Sequence, residues 1–554
     1  MKYIAVVDCA SSGQMYIDDI IRMGCQPLVI YTYFDAEHAP GLDSNIKSVK
    51  KGLEGRADII QLPKEFSLDD ILKQLKNYEI ICVVPGSEIG VRFADVLNKA
   101  LGLRGNDPET TYMRCTKTGM FEALGKAGIR RIESTVVTSA EQVRKFWNDN
   151  KLTKAVLKYE EGSGTVGLKI CDSLEASLEH FGRMYSEYNF TGRDDCPIMM
   201  QEYIGGTEYI VNSLSIDGKH KITDIWRYEK IVQPDGVLVY DTMILVDRLV
   251  PGMQDLLEYT YKVLDAVEMK NGFSHNEIKV DEKGPVLIEV NARVMGGNLT
   301  SEYLDEIFGS HMTDITLKSL LEPTFFDDFL LTPYLPRKSA MFKFSIVPHD
   351  VKADLGPFFE LVGHLDSYRE IVYFGETGIH EYPRTIDLET SPFFIRMINE
   401  DYGKLKRDYE LLRLMEERYF DMLFAVNDKV EGTVMKTDLA GIVSHLPLSR
   451  KFALIEDDRT TVIRYGKQTV TEEWEIYDGA IFAVCGPSSL TQRFRQMMRC
   501  LNHIRRGGPV IIVPESYQNL PYGAVGAEVV MSVMGFNGAI PPSISDGVIY
   551  GIKR

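Results

Sequence analysis

One stretch constrains this chain more than any other: residues 271–299, NGFSHNEIKVDEKGPVLIEVNARVMGGNL. Its apolar residues Ile278, Val280, Val286, Ile288 and Val290 alternate with polar ones, and Asp281-Glu282-Lys283-Gly284 supplies the turn of a hairpin. A side-chain period of two puts Glu277 and Lys279 on one face of the first strand, and Leu287, Glu289 and Asn291 on one face of the second. Pairing the two strands therefore brings Glu277, Glu289 and Asn291 together. Two carboxylates and an amide oxygen are hard donors, suited to Mg²⁺ carrying phosphate and not to zinc. Arg293 follows two residues after Asn291, where a cation can stabilise a transferring phosphate or a developing oxyanion. The spacing fits an ordinary exposed hairpin equally well, so on its own it leaves both readings open.

The rest of the chain must be a multidomain setting for such a site. At 554 residues it is too long for one core and predicts three or four domains. Its 44% hydrophobic and 26% charged residues are those of a soluble globular protein. No apolar run approaches the length of a membrane span, and the start, MKYIAVVDCASSG, reads as a strand with Asp8 in it and not as a signal peptide. The eight cysteines form no CxxC pair, which points away from zinc and disulfides and toward a reducing cytoplasm. A net charge of −18 disfavours nucleic acid as a partner. Residues 430–554 hold 13 Lys and Arg against 12 Asp and Glu, a balance of +1, so the first 429 carry −19. The tail is compositionally a different unit.

Taken in order, residues 3–8, a Ser11-Ser12-Gly13 turn, a helix to Gly24 and a strand at 27–31 predict the opening of a parallel α/β domain. A further strand, Ile80 to Val84, runs into Pro85-Gly86-Ser87-Glu88. Ligands of such sheets bind beyond the carboxyl ends of the strands, which makes Ser87 and Glu88 substrate candidates; capping the helix that starts near Val91 is their plain alternative. Residues 154–170, KAVLKYEEGSGTVGLKI, give strand, glycine loop, strand. Gly162, Gly164 and Gly167 would let backbone N–H groups approach phosphates, although the GK[ST] ending of a Walker loop is missing. Strands flank Gly205-Gly206, and another, ITDIWRYEK, carries Arg227. His275 shares a strand face with Glu277 and suits support of the metal, an amine contact or a purely structural role. Beyond Gly296-Gly297 a helix is expected over Tyr303–Leu321, stopped by Pro323.

The pattern E-(x11)-E-V-N-A-R with a following glycine pair resembles the metal-binding signature of the ATP-grasp superfamily, and GSEIGVRFADVLNKALGLRGN (86–106) resembles the end of the N-terminal domain of its amino-acid ligases. That resemblance spans roughly residues 3–330 and, more faintly, to 425. It implies an α/β multidomain fold: a pre-ATP-grasp domain at 1–112, a small subdomain with the glycine loop at 113–200, a large subdomain and lid at 201–425, and an added α/β domain at 430–554. ATP and Mg²⁺ (Mn²⁺ as a substitute) are the implied cofactors, with Glu277, Glu289 and Asn291 as metal ligands and Arg293 facing the reacting phosphoryl group. Lys117 and Lys158 reach the phosphates under this resemblance, although Thr116 stands where many members have Asp. Gly162, Ser163 and Gly164 close over the triphosphate. Glu202 and the backbone of Tyr203 and Ile204 hold the base, and Glu208 holds the ribose. Arg227 meets substrate carboxylate or phosphate, and His275, Gly296 and Gly297 join Ser87 and Glu88 around the substrate.

The closest resemblance is to carboxylate–amine ligases that join amino acids into dipeptides through an acyl phosphate. The implied partners are therefore a small carboxylate and an amine. Carboxylase or purine-pathway chemistry on the same fold is the alternative, as is nucleotide binding without turnover. Residues 522–543 are rich in small residues that suit close packing or an interface. The tail is accordingly read as a dimerisation unit giving a homodimer, a cap over the substrate or a second catalytic module.

Overall fold

In the computed structural model the described residues are 1–32, 40–159, 168–190, 198–233, 237–250, 252–373, 375, 378–388 and 390–424, with 451–456, 459–464, 467–471, 476–484, 502–504, 509–514, 536–539 and 549–553 of the C-terminal part. They fall into two units, Met1–Glu229 with Met243–Ser339, and Lys230–Thr242 with Ala340–Arg554. No described helix is long and apolar enough to cross a membrane.

The first unit opens with β1 (Lys2–Val7), β2 (Gln26–Tyr31), β3 (Asp58–Gln61) and β4 (Glu79–Pro85), all parallel in the order β3-β2-β1-β4. Their apolar runs are nearly unbroken because helices cover both faces of a parallel sheet. Ala5, Val7, Leu28, Ile30 and Val83 pack with Phe93 and Leu97 of the helix Val91–Leu101, which ends at left-handed Gly102.

Next comes an antiparallel sheet of β5 (Ser134–Val137), β6 (Ala155–Tyr159), β7 (Lys169–Cys171) and β8 (Ile198–Glu202), ordered β5-β8-β6-β7. The chain continues through β9 (Thr207–Ile216), β10 (Lys219–Val232), β11 (Leu238–Leu245), β12 (Gly272–Asp281) and β13 (Gly284–Asn291). In this unit they give the antiparallel order β13-β12-β9-β10. Val211, Ile225, Ile278, Leu287 and Val290 form the back of this sheet, buried against Met120, Leu256, Val263 and Leu264.

The start of β12 is fixed by polar contacts that hydrophobic burial alone would not specify. Asn106 accepts from the N–H groups of Lys270 and Asn271 at 2.8 and 2.9 Å and donates to the Asn271 carbonyl, while Asn271 donates to Gly105 O. Buried Arg114 pairs with Asp95 at 3.0 Å and donates to the carbonyls of Val267 and Glu268. These bonds tie the segment leading to Lys117 to the strand carrying Glu277.

After β13 three helices follow, Ser301–Phe308, Met312–Leu321 and Pro323–Leu330, not the single helix expected from the sequence. Gly309 at φ +80° closes the first. Pro323 begins the third instead of ending the second, because its missing N–H costs nothing in a first turn.

In the second unit β14 (Ser339–Phe344), β15 (Val351–Asp354), β16 (Tyr368–Tyr373), β17 (Ile379–Tyr382) and β18 (Phe393–Asn399) precede the helix Tyr402–Phe424. The sheet order here is β11-β14-β18-β16, with β15 and β17 a separate ribbon. The tail strands are β19 (Phe452–Glu456), β20 (Arg459–Arg464), β21 (Lys467–Thr471), β22 (Gly479–Val484), β23 (Pro509–Pro514), β24 (Phe536–Ala539) and β25 (Ile549–Lys553). Their order is β21-β20-β19-β22-β23-β25-β24, with β19, β22 and β23 parallel. The small-residue stretch 522–543 lies largely outside the described residues.

Candidate active site

The β12–β13 hairpin sets the centre. Glu277 lies directly across from Glu289 and His275 across from Asn291, with a register shift just after Glu277. Opposed residues share a face, so all four look the same way. Asn291 Nδ2 donates to Glu289 Oε1 at 3.1 Å, and Lys117 Nζ stands 3.2 Å from Glu289 Oε2. Lys117 is the first residue of the helix Lys117–Lys126, whose N-cap is Thr116, its hydroxyl accepting from Gly119 N. Thr caps a helix as Asp does, which is a physical reason why Thr116 is tolerated before the lysine.

Burial works against a charged Glu289, but Lys117, the Asn291 amide and Lys158 outweigh it and pull the carboxyl down to about 2. For Lys117 burial again opposes the charge, and Glu289, Glu88 and Glu277 together hold the ammonium above its ordinary value. The pair is thus ionised across the working pH range, as a ligand to a hard cation must be. Among the described residues no three His, Cys, Asp or Glu side chains gather as a metal site. A magnesium ion here would rest instead on two carboxylates and the Asn291 amide oxygen, leaving positions for phosphate oxygens and water. That is an ordinary environment for this ion, and the donor set fits it.

Lys158 of β6 is buried, with Lys117, Glu289, Glu277 and Glu208 as its charged neighbours. Burial, then the like charge of Lys117, push its ammonium down to about 8 against the pull of the three carboxylates. Gly162, Ser163 and Gly164 lie outside the described residues. At the end of β8, Glu202 accepts from Glu133 N at 3.0 Å, and the Tyr203 N–H is donated to Lys154 O at 3.3 Å. Of the Tyr203 backbone this leaves the carbonyl to meet a base. Ile204 packs with Phe121, Ile132, Met199 and Val286, all of them buried. Lys279 Nζ donates to Ile204 O at 3.0 Å and lies 3.9 Å from Glu208, which is itself buried.

Beyond β13, Arg293 Nη2 meets Glu88 Oε2 at 3.2 Å, and the buried Ser87 Oγ has no hydrogen-bond partner. The loops after β1 and β4 touch so closely that a Cβ on Gly13 would sit 1.9 Å from the Gly86 oxygen. Ser11 and Ser12 accept from the N–H groups of Asn298 and Leu299 at 3.0 and 2.9 Å, pinning the segment that begins with Gly296 and Gly297. Gly297 is left-handed, and so are Asp8, Ser11 and Asn298, an unusual state for residues with a Cβ.

Arg227 does not join this cluster. Its partner across β9 is Tyr209, which pairs in turn with Ile278 of the back face, whereas Glu277 pairs with Ile210 and so with Trp226. Arg227 instead bonds Glu229 at 2.7 Å. Two residues that sequence reasoning passed over, Asn212 and Asp224, occupy the front face beside His275. Lys279 was readable from its period-two relation to Glu277.

Residues 155–302 match the family model described as ATP-grasp domain. The chain is 27% identical over 359 residues to dapdiamide A synthase of Enterobacter agglomerans, covering 64% of this chain and 84% of that protein. It is 21% identical to alanine–anticapsin ligase of Bacillus subtilis (strain 168), covering 47% of this chain and 57% of that one. Among solved structures it is similar to the L-amino acid ligase from Bacillus licheniformis, with a TM-score of 0.56 at 18% identity over 74% of this chain and 97% of the other. The last likeness is one of overall fold, and the ATP-grasp match falls on residues 155–302 within it.

Proposed function

We propose that this ATP-grasp ligase joins the carboxylate of one amino acid to the amine of another at the expense of ATP, by way of an acyl phosphate. The observation that carries this reading is the row Glu277–Glu289–Asn291, which faces Lys117 and lies within the charge field of Lys158, with an Arg293–Glu88 pair on its substrate side. The similarity to dapdiamide A synthase and alanine–anticapsin ligase supports an amide-forming outcome.

Glu277, Glu289 and Asn291 would hold magnesium, which when bound neutralises phosphate charge and polarises the γ-phosphoryl group. The ATP base would lie at the hinge after β8, with Glu202 and the backbone of Tyr203 and Ile204 at its edge and Glu208 at the ribose. Lys117 and Lys158 offset phosphate charge. A substrate carboxylate oxygen attacks the γ-phosphorus; the new P–O bond forms as the bond to the β-phosphate oxygen breaks, and ADP leaves. Arg293 lies where charge builds in this step. The amine then attacks the acyl carbon, the C–N bond forms, the C–O bond to phosphate breaks, and the amine proton leaves to solvent. No covalent enzyme nucleophile takes part. The chain's task is to position the reactants and exclude water from the acyl phosphate. Glu88 and Ser87 would hold the acid substrate, with Glu88 suited to its ammonium group.

Incubation with Mg-ATP and pooled amino acids, following ADP, phosphate and new masses together, tests the reading. Phosphate release that depends on amino acids, with a product one water lighter than their sum and both signals lost in Glu289→Gln, is the expected result. ADP formed only with bicarbonate would assign a carboxylase instead, and ATP binding without turnover would assign a non-catalytic protein.

A further inference from the structure

Two parallel rows of side chains cross the front face of the β10-β9-β12-β13 sheet. One is Trp226–Ile210–Glu277–Glu289, and the other, one step along the strands, is Asp224–Asn212–His275–Asn291. The second row is a continuous polar chain inside the protein. Asn212 Nδ2 donates to Asp224 Oδ1 at 2.6 Å, and His275 Nδ1 meets Asn212 Oδ1 at 3.0 Å. His275 Nε2 then lies 3.5 Å from Glu277 Oε1. Trp226 Nε1 and the Thr223 hydroxyl also donate to Asp224, at 2.7 and 2.8 Å.

The chemistry of these groups gives the chain a direction. A carboxylate only accepts, so Asp224 claims the NH₂ side of Asn212 and turns its carbonyl oxygen toward the imidazole. That oxygen also only accepts, so Nδ1 of His275 must carry the proton, and Nε2 turns a lone pair, not an N–H, toward Glu277. A rotated Asn212 amide would set oxygen against the Asp224 carboxylate and NH₂ against Nδ1–H. Asn212 and Asp224 are 0% and 6% exposed, and Asp224 is held by three neutral donors and no ammonium or guanidinium. Buried polar groups of this kind seldom improve stability over apolar residues of the same shape, so stability alone does not account for the row.

We propose that Asp224 and Asn212 are positioning residues for the magnesium site: they fix one ring orientation and one tautomer of His275, so that Nε2 has no proton with which to tie up Glu277 and that carboxylate stays available to the cation. The inference rests on the metal-site reading given above and adds two residues to it. Supporting residues behind a metal ligand usually change metal affinity by roughly 10- to 100-fold when lost.

Mn²⁺ affinity of the enzyme–ADP complex, measured by the EPR signal of free Mn²⁺, gives a readout independent of turnover. Asn212→Leu, close in shape but unable to bond either neighbour, should weaken Mn²⁺ binding by about 10- to 100-fold and raise the Mg²⁺ needed for half-maximal ATP turnover in parallel. Activity at saturating metal should largely recover. Asp224→Asn retains an oxygen that can accept from Asn212 and Trp226 and should stay within about threefold of the parent. If Asn212→Leu does not fold, Asn212→Ser, too short to span both partners, takes its place. Unchanged metal affinity and half-saturation in a folded Asn212 variant would overturn the proposal, as would equal losses of metal-free ADP affinity and thermal stability with no shift in the metal requirement. Should the parent and Glu289→Gln bind Mn²⁺ alike, the metal site itself would be at fault and not the positioning row.

Discussion

Binding of ADP or ATP at pH 8 should draw about half a proton into the protein, and Lys158 should be its destination. In the free protein burial and the neighbouring Lys117 hold this ammonium at about 8, against an ordinary 10.5. At pH 8 it is therefore half charged. A polyphosphate beside it supplies the negative charge that Glu289, Glu277 and Glu208 share with Lys117, and a return toward 10.5 leaves the group fully protonated. The uptake is then about 0.1 proton at pH 7, 0.5 at pH 8 and 0.9 at pH 9. The displacement corresponds to about 3 kcal/mol, the most that nucleotide binding could recover from this lysine. The sign for folding follows from the same numbers. Between pH 8 and 10.5 the unfolded chain keeps a proton that the folded one has lost, so raising pH through that window favours the folded state of the free protein. Titration calorimetry in buffers of differing ionisation enthalpy reads the uptake directly. Lys158→Arg keeps the charge but cannot titrate in this range, and should abolish it. No uptake in the parent at pH 8, or equal uptake in Lys158→Arg, would refute the argument.

Other perturbations test separate parts of the site. Lys117→Met leaves Glu289 partly buried without its ion-pair partner and should destabilise the fold by about 3 kcal/mol at pH 7 in urea unfolding, with a smaller loss near pH 4 as the carboxyl, no longer held at about 2, takes up a proton. Arg227→Ala should change kcat/KM by no more than about twofold, because only its exposed pairing with Glu229 is lost; a hundredfold fall would return Arg227 to the site. Gly13→Ala forces a methyl group against the Gly86 carbonyl and should lower stability by about 3 kcal/mol, moving Glu88 and raising the KM for the acid substrate more than that for ATP.

The hairpin at 272–291 was legible because a strand's side-chain period is fixed and its turn is polar and ends in glycine: Glu277, Glu289 and Asn291 share a face whatever else the chain does. Lys117 was legible only by resemblance, since a lysine at the start of a helix looks like any surface lysine until Glu289 is set across from it. What the strand period cannot supply is which face of a strand meets which neighbour. Pairing with β9 put Arg227 on the buried back face and Asp224 on the front, and a register shift between Ile222 and Asp224 hides that parity from simple counting. The Tyr203 N–H goes to Lys154, a partner 49 positions earlier in the sequence, and Pro323 opens a helix of its own because the one before it, Met312–Leu321, has already ended. Local chemistry, read along the chain, determined the alternation that puts Glu277, Glu289 and Asn291 on one face. Only tertiary structure decided the charge state of Lys158 and the row from Asp224 to Glu277, because both arise from burial and from partners brought together across strands.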